Sequence, residues 1–354
     1  MKQFSYLFLI LLIITGVSCN YKSGKQEHTA KITFADDNAG KKIDVLIDGQ
    51  LFTTFQWPDN VFKPVFYPIY TSGKTEITRG YPLNPKVGER ADHPHQIGMW
   101  FTYGNVNGMD FWANGSKGLG IRNENGGIIE HLKIEKISEG TGEGSFETFE
   151  NWLDTSGIIL LKENTEFHFF ITGTMRIIDR ITTLTAGKKE VLMFDTKEGM
   201  FGIRVARSLE LPSKGTVLLY NEDGTTSHVQ DTLNIGITGN YNSSEGISGG
   251  AVWATRARWM NLSGSIDDEK ISLVICDHPE NPNYPTYWHA RGYGLFAANP
   301  LGVKDFTHGK DTLNFSIPAG QSVTFRYRVI IASGVHLSSE DINKQADNFA
   351  LKYK

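Results

Sequence analysis

The densest group of titratable side chains in the sequence is Arg90-Ala91-Asp92-His93-Pro94-His95-Gln96-Ile97-Gly98. Two histidines beside an aspartate suit proton transfer or metal ligation, because imidazole titrates near neutral pH and offers a lone pair when neutral. If the segment is extended, His93 and His95 share a face and could meet one ligand. Pro94 between them points to an edge or a loop. Two exposed histidines in a turn would read the same way. A second group, Phe194-Asp195-Thr196-Lys197-Glu198-Gly199, places two carboxylates in a glycine-punctuated loop ahead of Arg204, which sits in the apolar run Phe201 to Ala206. An arginine in a buried strand needs an anionic or carbonyl partner, and either an Asp195–Arg204 pair or a substrate would supply it. The third group runs from Asp277-His278-Pro279-Glu280 to Tyr287-Trp288-His289-Ala290-Arg291, with four prolines between 279 and 300. Tyr287 and Trp288 could stack on a sugar ring, or could equally be core residues. Gly104 to Trp112 reads as a loop closing on the first group, with Trp112 as its aromatic anchor. His131, His168, His228 and His308 stand alone and read as structural or surface residues.

The elements that must position these groups read as strands. The 354 residues include 37 glycines, 12% aromatics and only 21% charged residues, which favours strands and loops over helices. Ile43, Val45 and Ile47 alternate with polar residues up to Asp48-Gly49, and Leu51 to Phe55 resumes beyond it, a hairpin signature. Further strands are expected at 146–152, 166–172, 176–185, 215–220, 270–276, 312–317 and 322–332. Cys276 falls in one of them and reads as a buried strand cysteine. One helix is expected after Ser338 as N-cap, with Glu340 and Asp341 in its first turn and Ile342, Ala346, Phe349, Ala350 and Tyr353 on one face. The fold class expected is all-β, a large antiparallel β-sandwich with a short C-terminal helix.

Residues 1–18 read as a lipoprotein signal peptide. Lys2 precedes the apolar run Leu7 to Ile14, too short for a permanent span, and small residues lead into Cys19, the expected lipidation site. Residues 19–30 would be a tether and 31–354 a single domain, lipid-anchored at the cell envelope of a Gram-negative bacterium. A net charge of −4 lacks the basic excess of a nucleic-acid or anionic-membrane binder, so the membrane is expected to be met only through Cys19.

Several of these segments together resemble the PmoA-like family of secreted bacterial proteins, a domain of unknown function carrying a methane-oxygenase label. The motifs are Phe66-Tyr67-Pro68, Thr78-Arg79-Gly80-Tyr81-Pro82, Asp92-His93-Pro94-His95, Val106 to Trp112, Lys197 to Arg204, Trp253 through Trp259, Asp277 to Pro282 and Tyr293 to Pro300. They span roughly residues 60 to 330. The family reads Asp-His-Pro-His-His-Arg-Gly at the first motif, where Gln96 and Ile97 stand here in place of the third histidine and the arginine. An integral-membrane oxygenase needs several spans of about 20 apolar residues, and the sequence has none after its leader, so the label is set aside. The resemblance implies a large sandwich of galactose-mutarotase type, a fold-level analogy that does not carry function by itself.

The leading functional expectation is a carbohydrate-active enzyme of the epimerase, lyase or hydrolase kind, acting on a small-molecule or oligosaccharide substrate. His93, His95, Asp195 and Glu198 would be its catalytic groups. Arg79, Asp92, Trp112, Arg204, His278, Trp288, His289 and Arg291 would bind substrate in one cleft that gathers all three groups. No cofactor is expected. The alternatives are a divalent-metal enzyme, with His93 and His95 completed by His278, Glu198 or His131, and a non-catalytic glycan-binding lipoprotein with Trp288 and Trp112 as its platform.

Overall fold

The computed structural model describes Met1, residues 30–230 and residues 232–354. The signal segment, Cys19 and the tether up to residue 29 lie outside the described residues. Among the described residues, two antiparallel sheets dominate. The larger has the order Tyr287–Ala290, Leu295–Asn299, Gly199–Arg204, Met99–Tyr103, Val65–Ile69, Gln50–Gln56, Lys42–Ile47, Lys31–Asp37 and Gly140–Thr141. The second has the order Asn240–Ser243, Trp259–Ile266, Glu269–Asp277, Ser322–Ser333, Met175–Ala186, Ile159–Thr172, Glu143–Leu153 and Ile128–Ser138. The sheets face each other across an aromatic core, in which Phe55 lies 5.1 Å from Phe66 of its own sheet and 5.5 Å from Phe167 of the other. The expected all-β antiparallel sandwich is the observed fold.

Local chemistry explains the elements that were legible. Asp48 and Gly49 both adopt positive φ, 49° and 75°, which matches the right-handed twist of the strands they join and pairs Ile47 with Gln50. The helix Ser339–Lys352 begins with a capping box in which Ser338 accepts from the Asp341 amide and Asp341 reaches back to Ser338. Its buried face, Ile342, Ala346 and Phe349, covers Ile177, Val274, Cys276 and Ile330 on the outer face of the second sheet. Burial drives the Cys276 thiol up to about 12, so it packs and does not react. Ser338→Ala should cost about 1 kcal/mol, read as a lower urea midpoint with unchanged slope.

The expected strand at 312–317 shortens to Phe315–Ile317, because the Leu313 amide is taken by Asp195 Oδ2 at 2.7 Å instead of by a neighbouring strand. At the other end of the larger sheet, Gly199–Arg204, Met99–Tyr103 and Leu295–Asn299 are buried along their whole lengths. One face of these strands lies on the sandwich core. The other is capped by a separate apolar group that includes Tyr67, Ile97, Trp100 and Trp112. These doubly covered strands carry Arg204 and receive the chain as it leaves the Asp92–Gly98 segment.

Candidate functional site

The Asp92–His95 segment is a turn and not an extended strand. His93 has φ 45°, Pro94 follows, and the Gln96 amide donates to the His93 carbonyl at 3.0 Å. Proline in the second position of a turn favours this closure over the expected extension. The two imidazoles still lie together, with ring centroids 5.7 Å apart. Gly98 ends the segment at φ 54°, where a Cβ would sit 2.0 Å from the Phe66 carbonyl oxygen.

Arg79 holds the turn from below. It is 1% exposed, and its guanidinium donates to the carbonyls of Arg90, Asp92, His93 and Gln96 and to Asp92 Oδ1, at 2.7–3.2 Å. Arg204, fully buried on the adjacent strand, donates to Asp92 Oδ1 at 2.6 Å and to the side-chain carbonyl of Gln96. The partner of Arg204 is therefore Asp92 and not Asp195. Both arginines spend their terminal nitrogens on the protein, which makes them positioning residues where substrate clamps were expected. Burial alone would raise the Asp92 carboxyl, but the hydrogen bond with His93 and the charges of Arg204 and Arg79 outweigh it and hold it well below the usual carboxylate range.

The hairpin linking Tyr287–Ala290 to Leu295–Asn299 supplies the opposite wall. Its tip is closed by Gly294 at φ 91°, whose amide donates to the Arg291 carbonyl at 3.0 Å. Tyr293 stacks parallel on His93, with centroids 5.0 Å apart and planes 2° from parallel. The Arg204 guanidinium lies 4.8 Å from the Tyr293 ring centre, and that of Arg291 lies 5.9 Å from it and 5.2 Å from Trp253. Glu198 is ion-paired with Lys197 at 3.2 Å, and beyond that contact its charge makes a small contribution at Tyr293 and His289, behind burial in both cases. His289 Nδ1 lies 2.7 Å from the Lys197 carbonyl, so Nδ1 is the donor and Nε2 keeps the lone pair. Burial holds this imidazole below its ordinary pKa, which preserves the neutral, proton-accepting form.

The structure thus brings together Asp92, His93, His95, Glu198, Arg204, His289 and Arg291, and adds Tyr293, Gln96 and Trp253. Other expected residues lie elsewhere. His95 is buried and pushed down to about 2, by burial first and then by the charges of Lys63, His93, Arg79 and Arg204, so it stays neutral and does not act as an acid. Asp195 accepts from the backbone amides of Lys304 and Leu313 and pins two loops together, which occupies the carboxylate expected in catalysis. Trp112 packs on Trp100 at 5.2 Å, and Trp288 donates its Nε1 hydrogen to the Ala257 carbonyl at 3.0 Å. Both tryptophans have zero exposure, so neither is a stacking platform. His278 lies under the C-terminal helix, edge-on to Phe349 at 5.0 Å, in the apolar layer outside the second sheet. The ligand set His93, His95 and His278 is accordingly not assembled, and among the described residues no three His, Cys, Asp or Glu side chains are grouped to hold a metal ion.

Lys63 was missed by sequence reasoning. It is buried, donates to the Trp112 carbonyl at 2.9 Å and is lowered by burial to about 7 against the opposing pull of Asp110. A lone lysine between Phe62 and Pro64 carries no sequence signal of burial. Tyr293 lay within a recognised motif, but nothing local distinguished it from a core aromatic.

Three buried imidazoles give the fold an acid limit. Burial holds His95 down to about 2, and His131 and His278 down to about 4. In the unfolded chain the same groups take up protons near about pH 6.5. Their contribution is complete above that value and is lost as pH falls, toward about 4 for His131 and His278 and on toward about 2 for His95. The urea midpoint should fall across this window, and His278→Phe should flatten the fall.

A family model described as "Family of unknown function (DUF6807)" matches residues 42–347. That description assigns no activity and makes no connection to methane oxygenation. No curated protein sequence matches the chain. Among solved structures, the chain is similar to a GH36 α-galactosidase, AgaA, from Geobacillus stearothermophilus, at 9% identity and a TM-score of 0.38, covering 85% of this chain and 40% of that one. It is also similar to a putative aldose 1-epimerase from Escherichia coli K12, at 10% identity and a TM-score of 0.30, covering 85% of this chain and 98% of that one. A galactose mutarotase-like protein from Clostridium acetobutylicum gives 10% identity and a TM-score of 0.33, covering 84% and 98%. The chain thus spans about two fifths of the galactosidase.

Proposed function

We propose that this chain, which belongs to the DUF6807 family, is a carbohydrate-active enzyme that moves protons on a sugar ring, held at the cell envelope through a lipid on Cys19. The observation that carries the reading is the Tyr293 hairpin. It stacks an aromatic ring on the titratable His93 and brings the Arg291 guanidinium to that ring, and it grows from the strand that carries a second imidazole, His289. A sugar has hydroxyls that an arginine can orient and C–H faces that suit aromatic rings. Proton transfer needs one group able to accept and one able to donate. His289, with Nδ1 fixed by the Lys197 carbonyl, presents Nε2 as the acceptor, and its neighbour Glu198 stabilises the imidazolium that forms. His93, oriented by Asp92 at 3.3 Å, is the partner that returns a proton. Arg291 and Trp253 bound the substrate, while Arg79 and Arg204 hold the Asp92 turn that carries His93.

The test is turnover of a panel of mono- and oligosaccharides by the purified chain, followed by proton NMR for anomer exchange, epimer formation, elimination and hydrolysis. Turnover lost in both His93→Gln and His289→Asn supports the assignment. Binding without turnover of any sugar, unaffected by either variant, would overturn the catalytic reading in favour of a glycan-binding role. The anchor is checked separately, by mass spectrometry of the membrane-extracted protein for a diacylglyceryl adduct at Cys19.

A further inference from the structure

A sizeable cavity lies away from the Tyr293 hairpin. It has a volume of about 390 Å³ and opens where the strand Gln50–Gln56 of one sheet ends beside Ile128–Ser138, the edge strand of the other. Trp57, Phe62 and Ile129 give it apolar walls, Glu130 and the Lys41–Asp59 ion pair stand on its lining, and His131 lines it as well. The Trp57 and His131 rings pack with centroids 3.9 Å apart.

His131 supplies the independent observation. Its side chain is only 2% exposed, and Nδ1 lies 3.0 Å from Glu150 Oε1. Burial, reinforced by Glu163, pushes the Glu150 carboxyl well above the carboxylate range, and burial holds His131 down to about 4. Thr148 donates to the other Glu150 oxygen at 3.2 Å, so both carboxyl oxygens and Nδ1 are engaged within the protein. The other ring nitrogen, Nε2, is a buried polar atom with no partner among the described residues. A buried polar atom left unpaired costs about 1–3 kcal/mol, so a hydroxyl, which can donate or accept, is favoured there.

We propose that this cavity is a second binding site, for one polyhydroxylated pyranose-sized ring. Its volume lies near the lower end of the range for small-molecule pockets, about 300–1,000 Å³, and suits one ring better than a chain of several. An aromatic wall receives the C–H face, the Glu130 carboxylate accepts from a hydroxyl, and His131 Nε2 meets another hydroxyl. None of the side chains of the Tyr293 cluster lines the cavity, so the proposal stands apart from the catalytic reading.

The probes are the methyl glycosides of D-glucose, D-galactose and D-mannose, titrated against the full chain by saturation-transfer NMR and tryptophan fluorescence. Saturable binding of at least one is expected, weakened about tenfold or more in Trp57→Ala and also in Glu130→Gln, an exposed position whose change leaves the fold intact. Tyr293→Ala should leave this binding unchanged. No saturable binding of any probe, binding indifferent to both cavity variants, or binding abolished by Tyr293→Ala would overturn the proposal. No turnover of any sugar by the unaltered chain, with cavity binding retained, would sink the catalytic reading alone.

Discussion

Replacing Arg204 with methionine is expected to lower the unfolding free energy by about 3–5 kcal/mol, measured by urea denaturation at neutral pH. Arg204 has no exposed surface, and its guanidinium joins Asp92 Oδ1 to the side-chain carbonyl of Gln96. Methionine fills much of the same volume but leaves the 1%-exposed Gln96 side-chain carbonyl without its donor and strips Asp92 Oδ1 of one of its two arginines, Arg79 remaining at 3.0 Å. Desolvated acceptors left unpaired cost more than the pair itself contributes, which is why removing one partner is so damaging. Lysine should rescue little, because a single ammonium cannot present the planar fork that spans two acceptors. The double variant with Asp92→Asn should cost less than the sum of the single changes, since both act on one network. A loss below about 1 kcal/mol for Arg204→Met would show that the network is not what holds the turn.

The second large effect is on chemistry. On a sugar that the wild-type chain turns over, His289→Asn should reduce kcat/KM by about 10²–10⁴-fold with the urea midpoint little changed. Asparagine can still donate to the Lys197 carbonyl, which meets His289 Nδ1 at 2.7 Å, but offers no basic nitrogen in place of Nε2. Glu198→Gln should give a smaller loss and shift the acid limb of the pH–rate profile to lower pH, because removing a carboxylate beside an imidazole makes that imidazole easier to deprotonate. Unchanged rates in both variants would place the chemistry elsewhere.

Much of the fold was legible because its signals are local. The Asp48-Gly49 hairpin follows from two residues that tolerate positive φ, and the C-terminal helix from a cap and a 3.6-residue apolar period. His93 and His95 were legible as a pair through their spacing, although the chain brings them together by a turn. The expected extended form failed because Pro94 favours closure onto the Gln96 amide. Trp112 and Trp288 show the opposite limit. A tryptophan in a glycine- and proline-rich segment reads equally as a platform or as core, and only the packing against Trp100 and the bond to the Ala257 carbonyl decide between them.

By itself the sequence determined the strand-rich class, the antiparallel character, the terminal helix and the segments in which titratable side chains concentrate. All of these depend on residues within about a dozen positions of one another. The tertiary structure alone decided which segments meet. Asp92 and Arg204 are 112 residues apart and become partners because Gly199–Arg204 pairs with Met99–Tyr103 on one side and Leu295–Asn299 on the other. The same strand order brings Tyr293 onto His93, while it carries His278 away beneath the C-terminal helix. Pairing between distant strands is selected by the burial of whole faces, a cooperative quantity that no short segment carries.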